Sequence, residues 1–170
     1  MNQNLPSSEL VIRPASFSDI VFIRGIVDKT WPATYTTILG KQQVDYMIEQ
    51  LYNPELLEAQ MRDHHYYFLA LRDYQPVGFA SVSRVEDNIF KLQKIYVLPS
   101  EQKTGTGKAL MATVETVSKS MGATRLQLNV NRKNIARSFY EKKGFTIIKE
   151  EDIDIGQGYF MNDYVMEKVL

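Results

Sequence analysis

The spacing of apolar residues changes period repeatedly along the chain. Leu10-Val11-Ile12 is a short apolar run closed by Pro14 and reads as a first strand. Ser16 with Asp19 three residues on resembles a capping box. Ile20, Ile23 and Val27 then follow at helical spacing, which predicts a helix to about Thr30, stopped by Trp31-Pro32. Thr34 to Thr37 reads as a polar connection. Val44, Met47, Ile48 and Leu51 form one stripe, a second helix from Gln42 to Leu51, and Asn53-Pro54 opens a third through Met61. From Tyr66 the period is that of strands: Tyr66 to Leu71, Val77 to Val85 and Ile89 to Leu98, joined by Asp73-Tyr74-Gln75 and Glu86-Asp87-Asn88. Leu110, Met111, Val114, Val117 and Met121 restore the helical period, and Gly122 ends it. Leu126, Leu128 and Val130 alternate strictly with polar residues. Asn134 is placed to cap a helix through Ile135, Phe139 and Lys143, and strands Phe145 to Ile153 and Tyr159 to Val169 close the chain. A meander of strands followed by strand–helix–strand predicts a mixed α/β sheet, mostly antiparallel, of about seven strands, with helices on both faces.

Composition narrows the class. The chain has 170 residues, enough for a single domain over 9–170 behind a polar, flexible tail at 1–8. Lys+Arg and Asp+Glu are both 20, so no nucleic-acid role is expected from net charge. The absence of cysteine removes disulfides, thiolate metal sites and a cysteine nucleophile. His64-His65 is adjacent rather than spaced one helical turn apart, so no metal site is expected. No apolar run approaches the roughly 18 residues of a bilayer span, and the first residues do not read as a signal peptide, so a cytoplasmic protein away from membranes is expected.

The segment Val97 to Leu110 is a strand, a glycine-containing loop and a helix start. Such a helix start presents unpaired N–H groups and a positive partial charge, and Lys103 and Lys108 add full charges. This is a phosphate cradle, or else a tight strand–helix turn. A P-loop needs glycine where Gln102 stands and a hydroxyl where Ala109 stands. A dinucleotide fingerprint needs a third small residue where Leu110 stands, and an acid about where Gln127 lies.

Gln102-Lys103-Thr104-Gly105-Thr106-Gly107 reads as Q-x-x-G-x-G without substitution. Leu126 to Phe145 reads as a strand ending in Val-Asn followed by N-x-x-A-x-x-F-Y-x-x-x-G-F. Together these segments resemble the acetyl-coenzyme A site of the GCN5-related N-acetyltransferase superfamily. The resemblance covers Leu10 to Leu170. It implies a V-shaped splay between the fourth and fifth strands, with acetyl-CoA as cosubstrate and no metal. The pantetheine arm would lie along Ile95-Tyr96-Val97, and Lys103 to Lys108 would hold the pyrophosphate with Gln102 at the loop's start. Asn134 would touch the arm. Val97 N–H would face the oxyanion and Tyr140 would protonate the leaving thiolate. On residue type alone Tyr140 is equally a packing aromatic.

The chain departs from the family pattern at Gln93, where many relatives carry a glutamate base. Glu86, Asp87, Tyr159 or a water chain are the substitutes the sequence offers, although Glu86-Asp87 also reads as a plain turn. Trp31, Tyr35, Tyr46 and Tyr159 are candidates for the acceptor pocket. Thr30 to Tyr35, Tyr46-Met47 and the ending Asp163 to Lys168 are similar to a bacterial branch that includes polyamine acetyltransferases. A small-molecule primary amine is thus the expected acceptor. Protein N-termini or lysines, a noncatalytic acyl-CoA sensor and a nucleotide switch are the alternatives. Dimers are common in the family, and a homodimer stays open.

Overall fold

The computed structural model describes residues 8–170; apart from Ser8, the expected tail lies outside them. The strands are β1 (Leu10–Pro14), β2 (Tyr66–Arg72), β3 (Gln75–Glu86), β4 (Ile89–Val97), β5 (Arg125–Asn131), β6 (Thr146–Gly156) and β7 (Tyr159–Val169). The helices are α1 (Ile20–Leu39), α2 (Lys41–Leu51), α3 (Pro54–Arg62), α4 (Thr106–Ser120) and α5 (Arg137–Lys142). One seven-stranded sheet runs in the order β1-β2-β3-β4-β5-β7-β6. Every pairing is antiparallel except that of β4 with β5. The mixed sheet expected from the element order is therefore present.

Alternation along the strands splits the core in two. Ala80, Val82, Phe90, Leu92, Leu126, Leu128 and Val130 point to the face covered by α4, where Leu110, Met111 and Val114 are buried. Leu69, Phe79 and Tyr96 point to the other face, against Ile23, Val27 and Trp31 of α1, Met47 of α2 and Leu57 of α3. Among the described residues no helix is long and apolar enough to cross a membrane.

Two elements differ from the sequence expectation. Helix α1 does not stop at Pro32 but runs on to Leu39, so Thr34 to Thr37 are helical. Proline inside a helix costs about 3 kcal/mol. Here that cost is offset because the continuing turn carries Tyr35 beside Trp31, with ring centroids 4.6 Å apart, and Trp31 also packs on Tyr52 at 5.3 Å and Tyr96 at 5.8 Å. Helix α5 begins at Arg137 rather than at Asn134. Asn134 instead closes a turn, its Oδ1 accepting the Ala136 N–H at 2.9 Å. The capping box expected at Ser16 and Asp19 is present, with the Ser16 N–H donating to Asp19 Oδ2 at 2.8 Å.

Asp19 also accepts two hydrogen bonds from the Arg13 guanidinium, both at 2.8 Å. Chiefly through these bonds its pKa falls to about 2. A carboxylate held below its unfolded pKa stabilises the fold above about pH 4 and loses that contribution as pH falls to about 2. Asp19→Asn is expected to cost about 1–2 kcal/mol at pH 7, given that Arg13 is partly exposed. Urea unfolding at pH 7 and pH 2.5 checks this: the difference between variant and wild type should shrink at the lower pH.

Candidate active site

Strand β4 is held by β5 only from Ile89–Leu92 against Arg125–Leu128. At that point β4 carries one residue more than β3: Ser81 faces Lys94 and Val82 faces Leu92, so Gln93 is bulged. A bulge bends its strand and raises the local twist. Bending β4 here carries it away from β5, which stays on β7 as far as Asn131. The result is a V-shaped cleft between Gln93–Val97 and Asn129–Asn131.

The ladder fixes which backbone groups face the cleft. Leu98 N–H donates to the Val77 carbonyl at 2.8 Å, across the facing pair Gly78 and Val97. That bond, from the residue after one partner to the residue before the other, marks the pair as non-hydrogen-bonded. Val97 therefore turns its N–H and C=O away from β3, and so does Ile95 two residues back, opposite Ala80. Both point into the cleft as an open strand edge.

Beyond β4 a turn at Pro99–Glu101 leads through Gln102, Lys103 and Thr104 to Gly105, the residue that caps α4. Lys103 has φ 64° and Gly105 φ 91°, both left-handed. The loop is held in that shape from outside. Arg72 Nε of β2 donates to Glu101 Oε2 at 2.8 Å, Thr106 Oγ1 donates to the same oxygen at 3.3 Å, and Thr104 Oγ1 donates to the Glu101 carbonyl at 2.6 Å. The Arg72 contact holds the Glu101 carboxyl below its ordinary pKa. Ala109 N–H, on the Gly105 carbonyl at 3.0 Å, makes the first bond of the helix. The N–H groups of Gly105 to Lys108 precede it and carry the positive end of the helix dipole, with the exposed Lys103 and Lys108 beside them. A Cβ built at Gly107 lies 3.8 Å from Val97 and 3.9 Å from Phe139, so the start of α4 adjoins both the end of β4 and α5.

Beyond β5 come Asn134, in the turn before α5, and Tyr140 in α5. Asn134 Nδ2 donates to Tyr35 Oη at 3.2 Å, joining the β5–α5 turn to α1. Tyr140 is nine-tenths buried, with its ring 5.5 Å from Phe139 and 6.1 Å from Phe145. Burial raises its hydroxyl well above the ordinary tyrosine pKa, so it stays protonated through neutral pH. Its hydroxyl makes no hydrogen bond among the described residues.

The predicted pocket aromatics divide. Trp31 is 4% exposed and belongs to the core, with Tyr35 at its edge. Tyr46 and Tyr159 stack on each other at 5.3 Å where the β6–β7 hairpin meets α2. There Tyr46 Oη donates to the Ile155 carbonyl at 2.7 Å and Gln43 Nε2 to the Phe160 carbonyl at 2.9 Å. Gln93 donates to Ser83 Oγ at 3.1 Å. Glu86 ends β3 opposite Ile89 and Asp87 lies in the turn beside it, and the strand from Ile89 to Val97 spans about 26 Å, so neither reaches the Val97 end of the cleft as a base.

Sequence reasoning did not single out the polar residues on the α1 side of β4, β5 and β7. Asn129 Nδ2 donates to Glu151 Oε2 at 3.3 Å and Asp163 Oδ2 at 3.4 Å, leaving its buried Oδ1 unpartnered. Asp163 is 6% exposed, and burial raises its pKa. Lys94 donates to Gln60 Oε1 at 2.9 Å between the rings of Tyr52 and Tyr67, and burial lowers its pKa to about 8. The strict alternation of β5 carried the signal for Asn129. Nothing local pointed to Asp163, which meets Asn131 only through the β5–β7 register.

The comparisons agree with this geometry. An uncharacterized N-acetyltransferase of Mycobacterium tuberculosis is 39% identical over 102 residues, covering 59% of this chain and 65% of that protein. The chain thus spans a little under two thirds of that relative's length. Spermidine N(1)-acetyltransferase of Thermoplasma acidophilum is 27% identical over 163 residues, covering 92% of this chain and 95% of that one. The crystal structure of PaiA N-acetyltransferase from Thermoplasma acidophilum in complex with coenzyme A superimposes with a TM-score of 0.82 at 26% identity, over 95% of this chain and 99% of that one. Residues 36–163 match the acetyltransferase (GNAT) domain, from the last turn of α1 through the cleft to β7. The chain belongs to the GCN5-related N-acetyltransferase family.

Proposed function

We propose that this protein is an acetyl-CoA-dependent N-acetyltransferase whose acceptor is the primary amine of a small molecule. The observation that carries the reading is the pairing of two unsatisfied backbone features at one cleft. The open edge of β4 at Ile95 and Val97 suits the amides of a pantetheine arm, taken up as a strand would be. The donor row from Gly105 to Lys108, with Lys103, suits a pyrophosphate at the arm's end. Gln102 opens the loop, and Tyr96 fixes the strand by burying its ring beneath α1. Asn134 stands across the cleft for the arm itself.

The chemistry assigned to the residues follows from their placement. A neutral amine attacks the thioester carbonyl, and negative charge grows on the carbonyl oxygen. The Val97 N–H, already turned into the cleft, is the fixed donor for that charge. As the carbon–sulfur bond breaks, the thiolate takes a proton from Tyr140, whose raised pKa keeps it protonated until then. No step calls for a metal.

A small acceptor is favoured by the α2–hairpin contact. Tyr46 and Gln43 fasten the β6–β7 hairpin to α2, and a hairpin held there would narrow the groove an extended peptide would need. The spermidine acetyltransferase among the relatives points the same way.

Calorimetric titration with acetyl-CoA, ATP and NAD tests the donor. Binding of acetyl-CoA without added magnesium and no binding of the other two is the expected result; no binding of acetyl-CoA refutes the reading. Release of free thiol in the presence of spermidine, tyramine or glycinamide then tests the acceptor class. Turnover of an N-terminal peptide but of none of these amines would move the assignment to protein acetylation.

A further inference from the structure

The cleft has a donor for the oxyanion and an acid for the thiolate, but Gln93 leaves no base on β4. An amine is an ammonium at neutral pH and must lose a proton before it attacks. The structure holds a carboxylate whose environment is incomplete in a matching way. Asp163 is 6% exposed, yet among the described residues no cation stands within ion-pair distance of it. Its one hydrogen bond is the long contact from Asn129 Nδ2 to Oδ2, at 3.4 Å, and Oδ1 takes none. Buried carboxylates are ordinarily paired, because an uncompensated buried charge is costly.

The nearby cations are spent or withheld. Arg132 binds Glu150 at 3.3 Å and Asp152 at 2.5 Å, and Lys149 binds Glu151 at 2.6 Å. Lys91 of β4 faces the same group without reaching ion-pair distance. Beside Asp163, Asn129 Oδ1 is buried and unpartnered. Reversing that amide would aim its oxygen at Glu151 and Asp163, so the orphan acceptor is the state the surroundings impose. A buried acceptor without a donor and a carboxylate without a cation therefore adjoin each other on the α1 side of the cleft, where Asn131 faces Asp163 across the β5–β7 ladder. Tyr35, which bonds Asn134, feels the Asp163 charge, and Tyr140 lies close enough to feel Tyr35 in turn.

We propose that Asp163 is the acceptor-side carboxylate, which with Asn129 holds the incoming ammonium and takes the proton it must lose. This rests on the N-acetyltransferase reading above. The balance is as follows. One ammonium proton passes to Asp163 Oδ1 and later to solvent. The freed lone pair forms the nitrogen–carbon bond, and the carbon–sulfur bond breaks with its electrons on sulfur. Sulfur takes the Tyr140 proton, and the second proton shed by nitrogen restores Tyr140. The groups facing Asp163 are Lys91 from β4, Asn129 from β5, Arg132 after β5, Glu151 from β6 and Tyr35 from α1.

Asp163→Asn keeps the shape and removes the charge. With spermidine, tyramine and glycinamide as acceptors, its kcat/KM at pH 7.5 should fall about a hundredfold. The gap should close to less than tenfold at pH 9.5, where roughly a hundredfold more of an alkylamine is already neutral than at pH 7.5. Spermidine titrated into the CoA-saturated enzyme should bind at least tenfold more weakly. Acetyl-CoA affinity should stay within threefold, which also reports an intact fold. Asp163→Glu, which restores a carboxylate, should recover at least a tenth of the lost rate and covers the case in which the asparagine variant does not fold. An active wild type with an Asp163→Asn rate within threefold at pH 7.5, or a loss that is the same at both pH values, overturns this inference alone. A wild type that binds no acetyl-CoA overturns the parent reading.

Discussion

Tyr140→Phe is expected to lower kcat by a factor on the order of 10²–10⁴ while acetyl-CoA affinity changes little. The substitution removes one hydroxyl and leaves the ring between Phe139 and Phe145. That hydroxyl makes no hydrogen bond among the described residues, so the fold loses no partner with it. A Tyr140 that only packs would pass the change almost unnoticed, with the rate intact and the melting temperature unmoved or raised. One that protonates sulfur would fail at the step where the thiolate leaves. Steady-state rates with acetyl-CoA, alongside the calorimetric affinity, separate the two. An unchanged kcat removes Tyr140 from the mechanism. The pH profile gives a second check. The hydroxyl is pushed above its ordinary pKa by burial, so the wild type should not lose its acid anywhere in the neutral range.

Tyr140 also shows what a sequence can carry. Its helix and the stop at Gly144 were legible because Phe139, Gly144 and Phe145 are local, although Asn134, expected as the cap, closes a turn three residues before the helix. The loop from Gln102 to Gly107 was legible for the same reason, and so was the alternation that sends Leu126, Leu128 and Val130 to one face of β5. What escaped depends on residues distant in the chain. Pro32 reads locally as a stop, and only the packing of the turn beyond it, which sets Tyr35 beside Trp31 and against Asn134, explains why α1 continues. The bulge at Gln93 leaves no mark in a strand of ordinary composition, since it exists only relative to β3. Arg72, which clamps the loop through Glu101, lies in another strand. Asp163 gains its meaning from burial, and burial is a property of the whole fold.

The loop yields the remaining test, because α4 has a matched pair of glycines at its two ends. Gly105 precedes the helix and Gly122 follows it; both have φ +91°, and a Cβ at either would meet nothing within 4 Å. Valine is equally strained at both, since β-branched residues avoid left-handed backbone. Each substitution should therefore cost stability by a similar amount, about 1–2 kcal/mol or more. Only Gly105 adjoins the donor row that is assigned to the pyrophosphate. There the side chain would stand where the ligand approaches, and relief of the strained φ would turn the N–H groups of the first turn away from it. Gly105→Val should weaken acetyl-CoA binding at least a hundredfold, which corresponds to about 2.7 kcal/mol. Gly122→Val should leave the affinity within threefold despite the same thermal destabilisation. Calorimetry on both variants, with melting temperatures measured in parallel, makes the comparison. If affinity falls equally in both, loss of helix stability explains it and the loop has no special role. If it falls in neither, the phosphate assignment of Gln102 to Lys108 is wrong.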